Sequence, residues 1–407
     1  ASTTGRVQDH GNGLYTVSFL LSFPGKVTPE VHLVHPSEAV QLLRELREVP
    51  NKRSWSCVLK RKRKDVRGKC TLLASRSLDL SSQCDFSVLN TSRTWFCAKP
   101  KGTSCNSIRN FLNGMKYFPE HFRQVEKSLT LKKRILFLDK QVIFSPLFEN
   151  ATANRSLPFC HPRLQHSESQ GFWLRGTWHS LSCQVRQFSP RDITLCLANR
   201  TVHFRGDSTL REWLERLGKL KIMHQRYGDR YYRSYTSDRG QMQATFKFHT
   251  VPIQASSWWK FENLSDAGVS NEIMKMIGGE NVVLVLSLCS HFTAEPTHVY
   301  TSRMYELRYA IEQLHKKYPK TTVIIKTCNT RNHRHYREVV QMSDWLADKL
   351  NQEMRSILGD LNVAILDVWD MTVSQWYPYN IHPHTHVVDN ELNILMSYIC
   401  PMMTKNV

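Results

Sequence analysis

The stretch that decides the fold is "HFRGDSTLREW", residues 203–213. It follows "CLANRTV" at 196–202, so a short apolar run meets Gly206-Asp207-Ser208 and then a helix-like segment. A strand that ends on a small residue, a carboxylate and a hydroxyl, where a helix begins, admits two readings. In the first, Asp207 or Ser208 caps the opening turn, with Glu212 near a capping-box position. In the second, Ser208 is a nucleophile displayed at a strand-to-helix turn, its oxygen close to the positive end of the helix dipole. On these residues alone both stay open.

Working outward, the texture from residue 171 onward is an alternation. "GFWLRGTWHSLSC" opens it with aromatics at turn and strand positions. "ITLCLANRTVHF" reads as strand, "TLREWLERLGKL" as helix, "QATFKFH" as strand and "SNEIMKMI" as helix. "NVVLVLSL" is a β-branched buried strand. "RMYELRYAIEQLHKKY" is an amphipathic helix with apolar positions at Met304, Leu307, Ile311 and Leu314. "TTVIIKT", "MSDWLADKLNQEMRSIL" and "VAILDVW" continue as strand, helix and strand. Near-continuous apolar strands alternating with helices predict a parallel sheet covered on both faces. Ligands in such sheets bind at the carboxyl ends of strands. Gly206-Asp207-Ser208, Ser290-His291, Thr327-Cys328-Asn329 and Asp367–Asp370 all fall at such ends.

The 407 residues carry a net charge of +20 and 41% hydrophobic residues, which is globular and too long for one small domain. The charge suits an anionic partner such as an acidic glycan. Lys60-Arg61-Lys62-Arg63-Lys64, with Arg67 and Lys69, reads as a solvated loop. No nucleic-acid-binding signature occurs. No apolar run reaches the length of a membrane span. Residue 1 is Ala rather than Met, so any signal or anchor is expected upstream of this chain.

Eleven cysteines and five Asn-x-Ser/Thr triplets, at Asn90, Asn150, Asn154, Asn199 and Asn263, point to the secretory route. No cysteine pair has zinc-ribbon spacing, so disulfides are the better reading, with an odd thiol left over. Cys289, inside an apolar run, reads as a buried hydrophobe.

Residues 1–48 look β-rich, with "LYTVSFLLSF" and "VTPEVHLVHP" separated by a turn, and then helical over "EAVQLLRELRE". Two or three strands cannot bury a face alone, so part of a sandwich is expected here. Residues 49–170 read as a Cys-rich, basic and irregular connector with little core of its own. Residues 171–407 form the α/β domain.

A serine nucleophile needs a base, usually histidine. Of 18 histidines, His382, His384 and His386 in "YNIHPHTHVVDNE" are the densest group. In an extended segment they would share one face, with Asp389 or Glu391 beside them, which is the alternative of a metal site.

Gly206-Asp207-Ser208 followed by "TLREW" resembles the first block of the SGNH/GDSL-like PC-esterase group, and His382-Pro383 resembles its late histidine block. "GNGLYTVSFLLSFPGKVTPEVHLVHPSEAV" (11–40), "VLVLSLCSHF", "TVIIKT", "LDVWDMTVSQWY" and "SYIC" together resemble the neurexophilin and PC-esterase (NXPE) family. The resemblance implies an α/β fold: an SGNH-like α/β/α sandwich with a parallel sheet, preceded by a truncated immunoglobulin-like β-domain. It implies Ser208 as nucleophile and His382 as base in a glycan O-acyltransferase of the Golgi lumen or a secreted one. Acetyl-coenzyme A would be the donor and sialic acid on mucin-type glycoproteins the acceptor, with no metal required. An esterase at the same Ser-His site, or an inactive secreted binding protein, is the alternative. Two departures stand out. The group's Asp-x-x-His is absent, since Tyr379 precedes His382 by three residues, so a dyad, or an acid supplied by Asp367, Asp370 or Asp389, is needed. The third block lacks its Asn, so Gly206, Asp207, Ser290, His291 or their amides must support the site and its oxyanion. Arg205, Arg211 and Arg303 are the expected substrate-binding cations.

Overall fold

The computed structural model describes residues 1–402 apart from 21–24, 50–54, 76–77, 88–93, 113–134, 139–141, 145–156, 165–168, 229–231, 239, 250–267, 334–335 and 376–379. From residue 190 the elements are α1 (Pro190–Leu197), β1 (Thr201–Gly206), α2 (Ser208–Lys219), β2 (His224–Gly228), β3 (Tyr232–Thr236), β4 (Gln243–Phe248) and α3 (Val269–Lys275). They continue as β5 (Val282–Ser287), α4 (Thr297–Lys317), β6 (Thr322–Lys326), α5 (Tyr336–Met342), α6 (Asp344–Leu358), β7 (Ala364–Leu366), α7 (Trp369–Val373) and α8 (Thr385–Ile399).

The strands form one seven-stranded sheet in the order β2-β3-β4-β1-β5-β6-β7. Strands β4, β1, β5, β6 and β7 are parallel, and β2 and β3 extend the β4 side as antiparallel strands. Strand β5 shows how the layers arise. Its Val283 and Val285 enter one apolar cluster with Phe204, Trp213 and Leu392, while Leu284 and Leu286 enter a second with Ile311 and Leu350. Period-2 alternation therefore sends side chains to both faces, where α2 and α8 cover one and α4 and α6 the other. The result is the expected three-layer α/β sandwich. Helix α2 follows β1 on one face and α4 follows β5 on the other, so the carboxyl ends of β1 and β5 form the switch point at which ligands bind in such sheets.

One strand expectation fails in part. "ITLCL" is helical: Ser189 and Asp192 form a reciprocal capping box, with Pro190 in the first turn. Those start signals outweigh the β-branched content of the segment. Only Thr201–Gly206 is strand.

The N-terminal region also differs from its reading. Helix Ser37–Glu48 forms as expected. The strands around it are separate two-stranded pairs: Arg6–Asp9 with Tyr15–Ser18, Gly25–Val27 with Val142–Phe144, and Glu30–Leu33 with Ile135–Leu138. Arg6–Asp9 and Glu30–Leu33 are exposed throughout, so they bury no shared face, and the described residues contain no immunoglobulin-like sandwich. Conversely, the stretch read as an irregular connector holds a five-stranded antiparallel sheet within residues 55–112. Cys57, Leu59, Cys70, Leu72 and Trp95 are buried in it and join the apolar cluster that contains Leu284 and Ile311. The basic run is the exposed tip of a hairpin in that sheet, where Lys62 takes a left-handed φ of 53°.

Five disulfides tie the chain: Cys70–Cys97, Cys84–Cys105, Cys160–Cys183, Cys196–Cys400 and Cys289–Cys328. Cys289 is thus a cross-link between the ends of β5 and β6, not a lone buried hydrophobe. Cys196–Cys400 closes a separation of 204 residues. The chain-entropy model makes such a closure worth about 5 kcal/mol. This bonding fits an oxidising, secreted or lumenal setting. No helix among the described residues is long and apolar enough to cross a membrane.

Cys57 is the odd thiol, buried and pushed up to about 11 by that burial. A thiol reagent at neutral pH should therefore titrate none in the folded protein and one after denaturation without reductant. Two or more free thiols after denaturation would contradict the pairing.

Candidate active site

The two readings of Gly206-Asp207-Ser208 both turn out to describe the site. Strand β1 ends at Gly206, where an added Cβ would lie 2.3 Å from the Ser287 carbonyl oxygen of β5, so only glycine fits. Asp207, not Ser208, is the N-cap: its Oδ1 accepts from the Thr209 amide at 2.9 Å and the Thr209 hydroxyl at 2.7 Å. Its Oδ2 accepts from the Ser290 amide at 3.1 Å. Burial works against the Asp207 charge. The His291 charge, the Thr209 hydrogen bond and the Lys326 charge outweigh it and hold the carboxyl at about 2. With the cap supplied by its neighbour, Ser208 is the first residue of α2 and its hydroxyl is not spent on capping.

Helix α2 buries Leu210, Trp213, Leu214 and Leu217 at helical spacing. The opposite face carries Ser208 and Glu212, one turn apart. His382 spans them. Its Nε2 lies 3.1 Å from Ser208 Oγ, and its Nδ1 lies 3.2 Å from Glu212 Oε2. A carboxylate can only accept, so Glu212 places the proton on Nδ1 and leaves Nε2 to accept from the serine. Ser208, His382 and Glu212 have the geometry of a nucleophile, a base and an orienting acid.

Glu212 therefore occupies the place expected of an aspartate, and each aspartate is engaged elsewhere. Asp389 pairs with Arg216 through two contacts of 2.6 and 2.9 Å. Asp367 meets Arg355 at 2.6 Å and accepts from Thr327 Oγ1 and the Trp369 amide. Asp370 accepts from the Gln170 amide at 2.8 Å, and burial raises its carboxyl to about 6. The signal for Glu212 was its position four residues after Ser208 on a helix.

The three histidines do not share an extended face. His384 is the N-cap of α8, accepting from the His386 amide, and His386 is already helical. Pro383 and the cap end the extended run after one histidine, so only His382 reaches Ser208. Glu391 is buried on α8 and accepts from Trp213 Nε1 at 2.6 Å. Burial raises its carboxyl and the nearby Glu212 charge adds to that.

On the other side of Ser208, His249 at the end of β4 meets His291 with Nε2 to Nδ1 at 2.7 Å. Phe248 stacks on His291, and the Arg211 guanidinium lies 5.8 Å from the Phe248 ring. Arg303 on α4 is close enough for its charge to act on His249. Arg211 thus lies beside Phe248 and Arg303 near His249, although each also has an acid on its own helix, Glu215 and Glu306. Arg205 does not belong with them. Strand alternation turns it away, where it is buried against Glu272 at 2.9 Å. Ser290 contributes its amide to Asp207. Of the five sequons, Asn199 is exposed in a turn with a φ of 60°; Asn90, Asn150, Asn154 and Asn263 lie outside the described residues.

Against this geometry, a family model described as NXPE family member 4-like, C-terminal domain, matches residues 178–400, more than half of the chain. The chain belongs to the NXPE family. A neurexophilin family model matches residues 1–124 of this NXPE chain, which include the five-stranded sheet and the Arg6–Asp9 and Tyr15–Ser18 pair. Among solved structures, it is similar to an active site mutant of a family two carbohydrate esterase from Clostridium thermocellum in complex with "celluohexase". The identity is 14%, the TM-score 0.27, and the match covers 50% of this chain and 64% of that one.

Burial pushes the His249 imidazole down to about 3, with the His291 charge adding to that. Burial and then the Arg205 charge bring His203 to about 4. Both folded values lie below the ordinary 6.5, so the unfolded chain takes up these protons first as pH falls. Their stabilisation is complete above about pH 6.5 and is lost as pH falls towards those folded values. His249→Gln should shrink the loss of unfolding free energy between pH 7 and pH 4. An unchanged loss, measured by denaturant titration at both pH values, would contradict a neutral buried His249.

Proposed function

We propose that this NXPE protein is an acyl-transfer enzyme acting on glycans through an acyl-serine at Ser208. The observation that carries the reading is the continuous contact from Ser208 Oγ through His382 to Glu212, at 3.1 and 3.2 Å. The finer part of the proposal is an acetyl group carried from acetyl-coenzyme A to sialic acid on mucin-type glycoproteins, in the Golgi lumen or after secretion. A net charge of +20, with Arg211 beside Phe248 and Arg303 near His249, suits an anionic sugar and a phosphate-bearing donor.

The steps follow from the geometry. Ser208 Oγ attacks the thioester carbonyl carbon while its proton passes to His382 Nε2. Glu212 stabilises the imidazolium that forms. The tetrahedral oxyanion is met by the Ser208 N–H at the start of α2 and by the helix dipole, the next three amides being spent on Asp207. The carbon–sulfur bond breaks, and the His382 proton goes to the leaving sulfur. The glycan hydroxyl then enters, gives its proton to His382 and attacks the acetyl-serine. Ser208 leaves and regains its proton. Water in place of the glycan gives hydrolysis by the same steps, and a His382 side chain that is 39% exposed is open to that water.

The purified chain incubated with acetyl-coenzyme A and a sialoglycan should yield acetylated sialic acid by mass spectrometry. Ser208→Ala and His382→Ala should each lower the rate by about 10³-fold or more. Release of acetate without transfer would assign an esterase. Absence of any Ser208-dependent chemistry, from a folded protein, would leave a binding protein built on this scaffold.

A further inference from the structure

Residue His382 sits in a short stretch without regular structure, between residues 376–379, which lie outside the description, and the start of α8 at Thr385. A histidine on such a stretch needs something to hold it at hydrogen-bond distance from a helix. The carbonyl of Ile381, the residue before it, accepts a hydrogen bond from Asn329 Nδ2 at 3.0 Å. Asn329 lies just beyond the end of β6, is 3% exposed, and is itself oriented. Its Oδ1 accepts from the ammonium of Lys326, the last residue of β6, which is 2% exposed. Lys326 also donates to the Thr327 carbonyl at 3.2 Å and lies 5.7 Å from the Trp213 ring of α2.

Such an arrangement leaves the amide no freedom. A carboxamide offers an acceptor and a donor end. The buried cation takes the acceptor end, so the donor end must face Ile381. A buried ammonium is costly unless its partners are good ones, and a costly group at a strand end beside the candidate site needs a reason. We propose that Lys326 and Asn329 are positioning residues for the base: they pin the Ile381 carbonyl and thereby set His382 between Ser208 and Glu212. This role rests on the acyl-transfer reading above. It adds residues that touch neither substrate nor reacting atoms and that hold the reaction's base in reach. Misplacement of a catalytic group by about 1 Å costs on the order of 100-fold in rate.

Asn329→Asp is the discriminating change. It keeps the size of the side chain and gives Lys326 a better partner, while replacing the donor to Ile381 with an acceptor. Kinetics with 4-nitrophenyl acetate, in parallel with labelling of Ser208 by a fluorophosphonate, read the effect. The expected result is a kcat lower by about 10- to 100-fold, an equally slowed labelling, a KM within twofold and an unchanged Tm. Asn329→Ala, which removes both ends of the amide, should give a loss at least as large. If the parent reacts through Ser208 and Asn329→Asp keeps kcat within threefold, or if KM rises with kcat unchanged, the positioning role is overturned. If Asn329→Asp fails to fold, an Asn329→Ala protein that folds and keeps the parental kcat overturns it equally. If the folded parent shows no Ser208-dependent labelling or turnover, the acyl-transfer reading fails and this role falls with it.

Discussion

The buried carboxylate of Asp207 is the constraint on which the rest of the site depends. It joins the end of β1 to the first turn of α2 through Thr209, and to the loop after β5 through the Ser290 amide. Taking a charge out of water costs several kcal/mol. Three hydrogen bonds and the nearby His291 and Lys326 charges offset that cost. Because Asp207 does the capping, Ser208 can be the first helical residue with its hydroxyl directed at His382. A cap one residue later would occupy that hydroxyl.

From that fixed point the site is assembled around a single helix. One face of α2 is welded into the core by Leu210, Trp213, Leu214 and Leu217, and the other carries nucleophile and acid one turn apart. The base is the only member brought from elsewhere, over 174 residues of sequence. Its segment is held from below by a strand-end amide and a buried ammonium on β6. Disulfide Cys289–Cys328 links the ends of β5 and β6, which carry the supports of both Ser208 and His382. Rigid elements therefore position every group of the site, as precise placement requires.

Much of the sheet was legible because its strands are short apolar runs with nothing else to do. "NVVLVLSL" and "TTVIIKT" are examples, and the helical period of α2, α4 and α6 was equally plain. Helix α1 carries its start signal, Ser189-Pro190-Arg191-Asp192, in the sequence, and the β-branched Ile193 and Thr194 that follow mask it. The N-terminal pairings were not legible because Glu30–Leu33 finds its partner only at Ile135–Leu138. Ser208 and His382 were legible by resemblance. Glu212 is legible as a helix-start residue four positions from Ser208, whereas the aspartates expected to supply the acid face Arg216, Arg355 and the Gln170 amide. Asn329 and Glu391 act across 52 and 178 residues, and local pattern carries no trace of such contacts.

The central claim is that Ser208, His382 and Glu212 act as one unit. The measurement that tests it most directly is the rate of Ser208 labelling by a fluorophosphonate in the parent, in Glu212→Gln, in His382→Ala and in the double variant. A unit predicts a large loss from each single change, about 100-fold or more, and no further loss in the double variant beyond that of His382→Ala. Full labelling in Glu212→Gln, or losses that multiply in the double variant, would contradict it.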